Sequence, residues 1–176
     1  MKLVSIARIA VEKNSLLAIE SLQQVTGHVQ FNLYGPVYDG AYRAKCQAAM
    51  AALPANVEVK HVGTIPPEEV PNVLAEHHAL FMPSAGENFG HTMLEALSAG
   101  RPLLISDRTP WRNLEQERAG WDLPLDRSEG FTEAVEGLCA MDQAEYDRWS
   151  AGALERGKRY LEDAGPVEAS LGMFQE

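Results

Sequence analysis

Cysteine is scarce in this chain: Cys46 and Cys139 are the two in 176 residues, and they form no Cys-x-x-Cys pair. That excludes a disulfide framework and a thiolate metal knuckle, and two reduced thiols in a cytoplasmic protein are the simplest expectation. Long apolar runs are also missing. None approaches the ~20 residues that span a bilayer, and Leu3–Ala7 is too short for a signal-peptide core and is broken by Arg8. Basic residues are in deficit, 15 Lys and Arg against 25 Asp and Glu, for a formal net charge of -10. Nucleic acid and anionic lipid are therefore not expected partners, and no direct membrane insertion is expected. Internal repeats and linkers are absent as well.

What is present is an ordinary globular composition, 45% hydrophobic and 23% charged, in a length that fits one domain burying about 70% of its unfolded surface. Strand-like runs recur at Leu3–Ala7, Val29–Tyr34, Val57–His61, Ala79–Met82 and Pro102–Ile105, with a weaker one at Trp121–Leu123. Helical spacing fills the intervals: Asn14–Gln24, Ala41–Leu53, Val70–His77 (where Pro71 blurs the start), Thr92–Leu97, then Ala134–Met141 and Tyr146–Tyr160. Alternating strands and helices imply a parallel sheet with right-handed crossovers. The expected fold is an α/β, Rossmann-like doubly wound sheet of about six strands with helices on both faces. The domain is expected over 1–162, with a tail at 163–176.

The chemistry concentrates between Ser84 and Gly100. Ala79–Met82 ends at Pro83, a glycine-bearing loop follows, and a helix begins near Thr92, to be stopped by Gly100 and Pro102. A helix start beneath such a loop offers free N–H groups and the positive end of the helix dipole, which suits a phosphate. Gly90 lets the backbone approach closely. Glu87 lies on the loop and Glu95 about one turn inside the helix, and each carboxylate accepts from two neighbouring hydroxyls. A diphosphate held between them would place a ribose diol on one glutamate and a hexose on the other.

In a doubly wound sheet of order 3-2-1-4-5-6, the first and fourth strands are neighbours and open a crevice at their carboxyl ends. Arg8 and Lys13 follow the first strand, and Glu87 to Thr92 follow the fourth. Arg8 as a bidentate fork and Lys13 as a point charge then neutralise a departing diphosphate. No Asp-x-Asp triplet of the kind that holds a divalent metal on a nucleotide diphosphate is present, so side-chain cations are expected to do that work with no metal and no cofactor. His91, at the helix start, either donates to a phosphate or sugar hydroxyl or packs over the loop. The adjacent pair His77-His78 reads as a surface pair capping its helix, and Trp111 as a core or rim aromatic.

Pro83-Ser84, Glu87-x-Phe89-Gly90 and Leu94-Glu95-Ala96-Leu97-x-x-Gly100-x-Pro102 together resemble the nucleotide-sugar half of the retaining GT-B glycosyltransferases of family four. The likeness extends upstream through Leu3–Arg8 with Lys13-Asn14, and downstream through Leu103–Asp107 to Gly120-Trp121. Asn88, His91 and Thr92 depart from the family's usual Gly, Leu and Pro. The resemblance implies a C-terminal, donor-binding domain with catalytic residues Glu87, Arg8 and Lys13, and donor contacts from Glu95, Asn88, Phe89, Gly90, His91 and Thr92. Backbone contacts from Gly63, Thr64 and Ile65 would lie near the base. It further implies transfer of a hexose with retained configuration to a glycan, lipid or polysaccharide acceptor, by a cytoplasmic enzyme. A missing N-terminal acceptor domain or partner subunit is implied too, so the isolated chain is expected to be inactive, with a terminal helix that crosses to that partner and packs loosely from Tyr160 onward. A non-catalytic nucleotide-sugar-binding subunit or pseudoenzyme is the alternative. A phosphoacceptor signalling domain ranks last, since Arg8 stands where its acidic cluster belongs.

Overall fold

Apolar runs without polar alternation are buried on both faces when they form the centre of a parallel sheet, and Ala79–Met82 and Leu103–Ser106 are buried at every position. In a computed structural model, which describes residues 1–163, six strands form one parallel sheet in the order β3-β2-β1-β4-β5-β6. They are β1 Lys2–Ile6, β2 Val29–Tyr34, β3 Val57–Gly63, β4 Ala79–Met82, β5 Leu103–Ser106 and β6 Gly120–Leu123. The helices are α1 Ser15–Glu20, α2 Gly40–Ala51, α3 Val70–Ala75, α4 His91–Ser98, α5 Ser128–Ala140 and α6 Gln143–Asp163. The expected α/β doubly wound sheet is the observed one.

Alternation along each strand sends neighbours to opposite faces. Leu3, Phe31, Phe81 and Leu104 join α1, α2 and α5 in one apolar cluster. Val4, Leu80, Leu103 and Ile105 join α3, α4 and α6 in the other. Phe81 is the middle rung of a ladder between Phe31, 5.4 Å away, and Phe131, 5.9 Å away. At the β6 edge Trp149 of α6 stacks on Trp121 at 4.2 Å, so α6 wraps the sheet edge and contributes to both clusters.

Local differences have local causes. Asn14 adopts a left-handed conformation, φ 52° and ψ 37°, so the first helix starts at Ser15 after a 3-10 turn at Val11–Lys13. Asn tolerates that region better than most residues. Pro71 sits in the first turn of α3, where its missing N–H costs nothing. Tyr160 is not loose: its ring packs on Trp111 with centroids 4.7 Å apart. Residues 164–176 of the expected tail lie outside the described residues.

His77 is a second correction, because it is buried rather than a surface cap. Its Nδ1–H donates to the Val73 carbonyl at 2.6 Å, and its Nε2 accepts from Asn32 Nδ2 at 3.0 Å, which specifies the neutral tautomer. His78, by contrast, accepts from the Lys2 N–H at 2.9 Å and packs edge-on against Tyr146. Burial pushes the His77 pKa below its ordinary 6.5, against the opposing pull of the Val73 carbonyl. The proton therefore binds the unfolded chain better, so this contribution to stability is whole above pH 6.5 and is lost as pH falls through the lowered value. Urea denaturation midpoints measured from pH 7.5 down to 5 should fall less steeply for His77→Gln than for the parent; parallel slopes would show that His77 does not carry this acid sensitivity.

Candidate functional site

The loops after β1 and β4 leave adjacent strands and are tied together by three contacts. Asn14 Nδ2 donates to the Pro83 carbonyl at 2.9 Å, the Ala85 N–H donates to the Glu12 carbonyl at 2.8 Å, and Lys13 Nζ lies 2.5 Å from Glu87 Oε1. The Lys13 and Glu87 side chains are 21% and 16% exposed, so the pair is screened less than a surface ion pair. A further backbone bond, from the Glu87 N–H to the Arg108 carbonyl at 3.2 Å, fixes the loop to the one after β5. Beneath it Ser106 Oγ donates to the Ser84 carbonyl.

Between these loops opens a crevice of about 430 Å³. Arg8 and Lys13 form one wall, Glu87, Asn88 and Phe89 the other, and Gly90, His91 and Thr92 close the end at the start of α4. Ile6, Met82 and Met93 supply an apolar floor. Arg8 also pairs with Glu12 on its own loop at 3.0 Å, with both side chains more than half exposed. The Phe89 and His91 rings stack at 5.9 Å across Gly90.

Gly90 is the residue on which this geometry turns. It caps α4 in a left-handed conformation, φ 69° and ψ 53°, with no side-chain cap, and its carbonyl accepts from the Met93 and Leu94 N–H groups. A Cβ there would lie 2.9 Å from Met93 Sδ and 3.0 Å from Trp111 Nε1, so conformation and space both demand glycine. Gly90, His91 and Thr92 line the crevice end, and the first N–H groups of α4 have no side-chain cap, a ready anion site.

Eight of the expected residues thus meet at one crevice: Arg8, Lys13, Glu87, Asn88, Phe89, Gly90, His91 and Thr92. Glu95 stands one turn further along α4 and does not line it. Its carboxyl is pushed above the usual range by the protein atoms that displace its water, with the nearby His91 opposing. Gly63, Thr64 and Ile65 are at the carboxyl end of β3, two strands from β1, and they also lie off the crevice. Gly63 has φ 108° and its carbonyl accepts from the Gly35 N–H, while Ile65 packs on the second core cluster. Glu12 and Asn14 were not singled out as functional positions, though both tie the crevice walls together. A signal for Asn14 existed, since Asn before a helical pattern accepts either a capping or a left-handed role. Among the described residues, no group of three or more His, Cys, Asp or Glu side chains is placed to hold a metal ion, and no helix is long and apolar enough to cross a membrane.

A family profile described as "Glycosyl transferases group 1" matches residues 1–155. The chain belongs to the group 1 glycosyl transferases. Among curated relatives of this family member, the 2-deoxystreptamine glucosyltransferase of Streptomyces kanamyceticus is 31% identical over 98 residues, 56% of this chain and 25% of that protein. The chain thus matches about a quarter of that relative's length. Solved structures agree in fold. Anabaena HepE in complex with UDP-glucose superposes with a TM-score of 0.75 at 19% identity, over 90% of this chain and 44% of that one. The sucrose-phosphate synthase of Thermosynechococcus elongatus gives 0.78 at 20% identity, over 99% and 46%. The catalytic domain of the cholesterol-alpha-glucosyltransferase of Helicobacter pylori gives 0.74 at 16%, over 92% and 99%. The sheet is accordingly that of a GT-B glycosyltransferase half.

The cross-crevice pair is open to direct measurement. A double-mutant cycle on Lys13→Met and Glu87→Gln, read by urea unfolding, should return a coupling of about 1 kcal/mol or more, above what fully exposed pairs give. Additive effects would show that the two walls are not joined electrostatically.

Proposed function

We propose that this glycosyltransferase chain is the donor-binding domain of a retaining hexosyltransferase, and that the crevice between the β1 and β4 loops takes the diphosphate of a nucleotide sugar. The observation that carries this reading is the meeting of two cations, a carboxylate and an uncapped helix start at one place. UDP is the first nucleotide to consider, because HepE is seen with UDP and UDP-glucose, and a glucosyltransferase is among the relatives.

In this reading the α4 start and Lys13 hold the diphosphate, with Arg8 exchanging Glu12 for phosphate oxygens. As the bond from the anomeric carbon to the phosphate oxygen breaks, its electron pair goes to the leaving diphosphate, and these donors stabilise the growing charge. The acceptor hydroxyl attacks the same face, retaining configuration, and its proton passes to the departing phosphate. Glu87 spends one oxygen on Lys13 and offers the other to a sugar hydroxyl, so it orients rather than transfers protons. Glu95 takes the ribose diol, and Gly63, Thr64 and Ile65 approach the base through their backbones. The hexose goes to a glycan, lipid or polysaccharide acceptor held by a separate acceptor domain or subunit, in the cytoplasm and without a metal cofactor. Exposed Val11, Tyr38 and Phe89 on the carboxyl-end loops, with Val62 at the end of β3, give that partner an apolar face to meet.

Calorimetric titration with UDP, GDP and ADP tests this directly. One of the three should bind, and Arg8→Ala and Glu95→Ala should each weaken it about tenfold or more, as expected for loss of a charged hydrogen bond. Unchanged affinity in both variants would overturn the site, and efficient sugar transfer by the isolated chain would overturn the need for an acceptor partner.

A further inference from the structure

Trp111, on the loop after β5, is 1% exposed, and its Nε1 is buried with no hydrogen-bond partner among the described residues. Nearly all buried donors find an acceptor, so an orphan requires an explanation. Its position supplies one. The Nε1 and Cδ1 edge of the indole fills the space directly beneath Gly90, at 3.0 and 3.4 Å from where a Cβ would stand, beside Met93 Sδ. From the other side α6 closes on the same ring: Tyr160 packs at 4.7 Å and the Arg156 guanidinium lies 5.1 Å from the ring centroid. Arg156 and Arg159 are in turn anchored on Glu117, at 3.2 and 2.6 Å.

A continuous column therefore runs from α6 through the indole to the residue that opens α4. None of its α6 or indole atoms lines the crevice. We propose that Trp111 is a positioning residue for the anion site: it sets the height of the Gly90 turn and aims the positive end of its N–H dipole at the underside of the α4 start, with Arg156 holding the ring from behind. This rests on the donor-site reading above. In this arrangement the indole N–H, placed next to Gly90, adds to the positive end of the helix dipole at the site where negative charge is to be held. The orphan donor is explained by that field, which an acceptor placed beneath Gly90 would cancel. Residues of α6 thereby influence the site without touching its ligand.

The test uses the full chain, UDP, and the variants Trp111→Phe and Arg156→Met. Trp111→Phe keeps an aromatic plate but removes the N–H; Arg156→Met keeps an aliphatic stem but removes the charge. Each should hold its Tm while binding UDP about threefold to tenfold more weakly, the scale of second-layer coupling. UDP should also change tryptophan emission in the parent and fail to do so in Trp111→Phe, although Trp121 and Trp149 remain. Parent-like UDP affinity in both variants overturns the inference while leaving the donor site standing. A fall in affinity matched by an equal fall in Tm overturns it as well, since that is the mark of packing alone. If Trp111→Phe does not fold, Arg156→Met decides by the same criteria. If the parent binds none of UDP, GDP and ADP, the donor-site reading falls and the inference with it.

Discussion

The Lys13–Glu87 pair joins two segments that are 74 residues apart in sequence, and the crevice exists because of where they meet. In a doubly wound sheet the order of successive strands reverses between β1 and β4, so the loops leaving those strands turn to opposite faces and part. A gap opened by topology still needs walls of fixed separation. Here Asn14 to Pro83, Ala85 to Glu12 and Lys13 to Glu87 hold them. Two of the three use backbone atoms, so the ion pair is the part that a ligand can exchange.

That arrangement reconciles a strongly acidic chain with an anion site. Both crevice cations have carboxylate partners, Glu12 for Arg8 and Glu87 for Lys13. The partners keep two long, flexible side chains near their working positions, which lowers the ordering cost when an anion arrives. The helix start adds positive potential with no formal charge. In the proposed donor site, selectivity for a phosphate arises from local geometry against an unfavourable net charge of -10.

The sheet was legible from sequence because β4 and β5 are buried at every position and are apolar runs broken by a single Ser, while β2 alternates buried and more open positions. β6 gave the weaker signal for a physical reason: Gly120 and Trp121 are buried while Asp122 and Leu123 are half-buried, so neither a pure run nor an alternation results. Glu87 to Thr92 were legible because strand, glycine loop and helix are contiguous. Arg8 and Lys13 needed topology as well as sequence. The burial of His77 was illegible, since its acceptor and donor, Val73 and Asn32, come from two different elements. Trp111 was read as core or rim, and only three-dimensional packing shows that it touches Gly90 on one side and α6 on the other. Local pattern carries the elements and contiguous motifs; contacts between distant side chains are carried by the fold.

The most direct test of the central claim is an amide-resolved NMR titration of the chain with UDP. Two depressions of similar size compete, the crevice at about 430 Å³ and another of about 420 Å³ beside β6 and α5, lined in part by Arg127 and Glu133. If the joined β1 and β4 loops form the anion site, the largest shifts will fall on the amides of Gly90, His91 and Thr92, with smaller ones at Arg8 and Lys13. Shifts centred on Arg127 to Glu133, or none at Gly90 to Thr92 at saturating UDP, would contradict it.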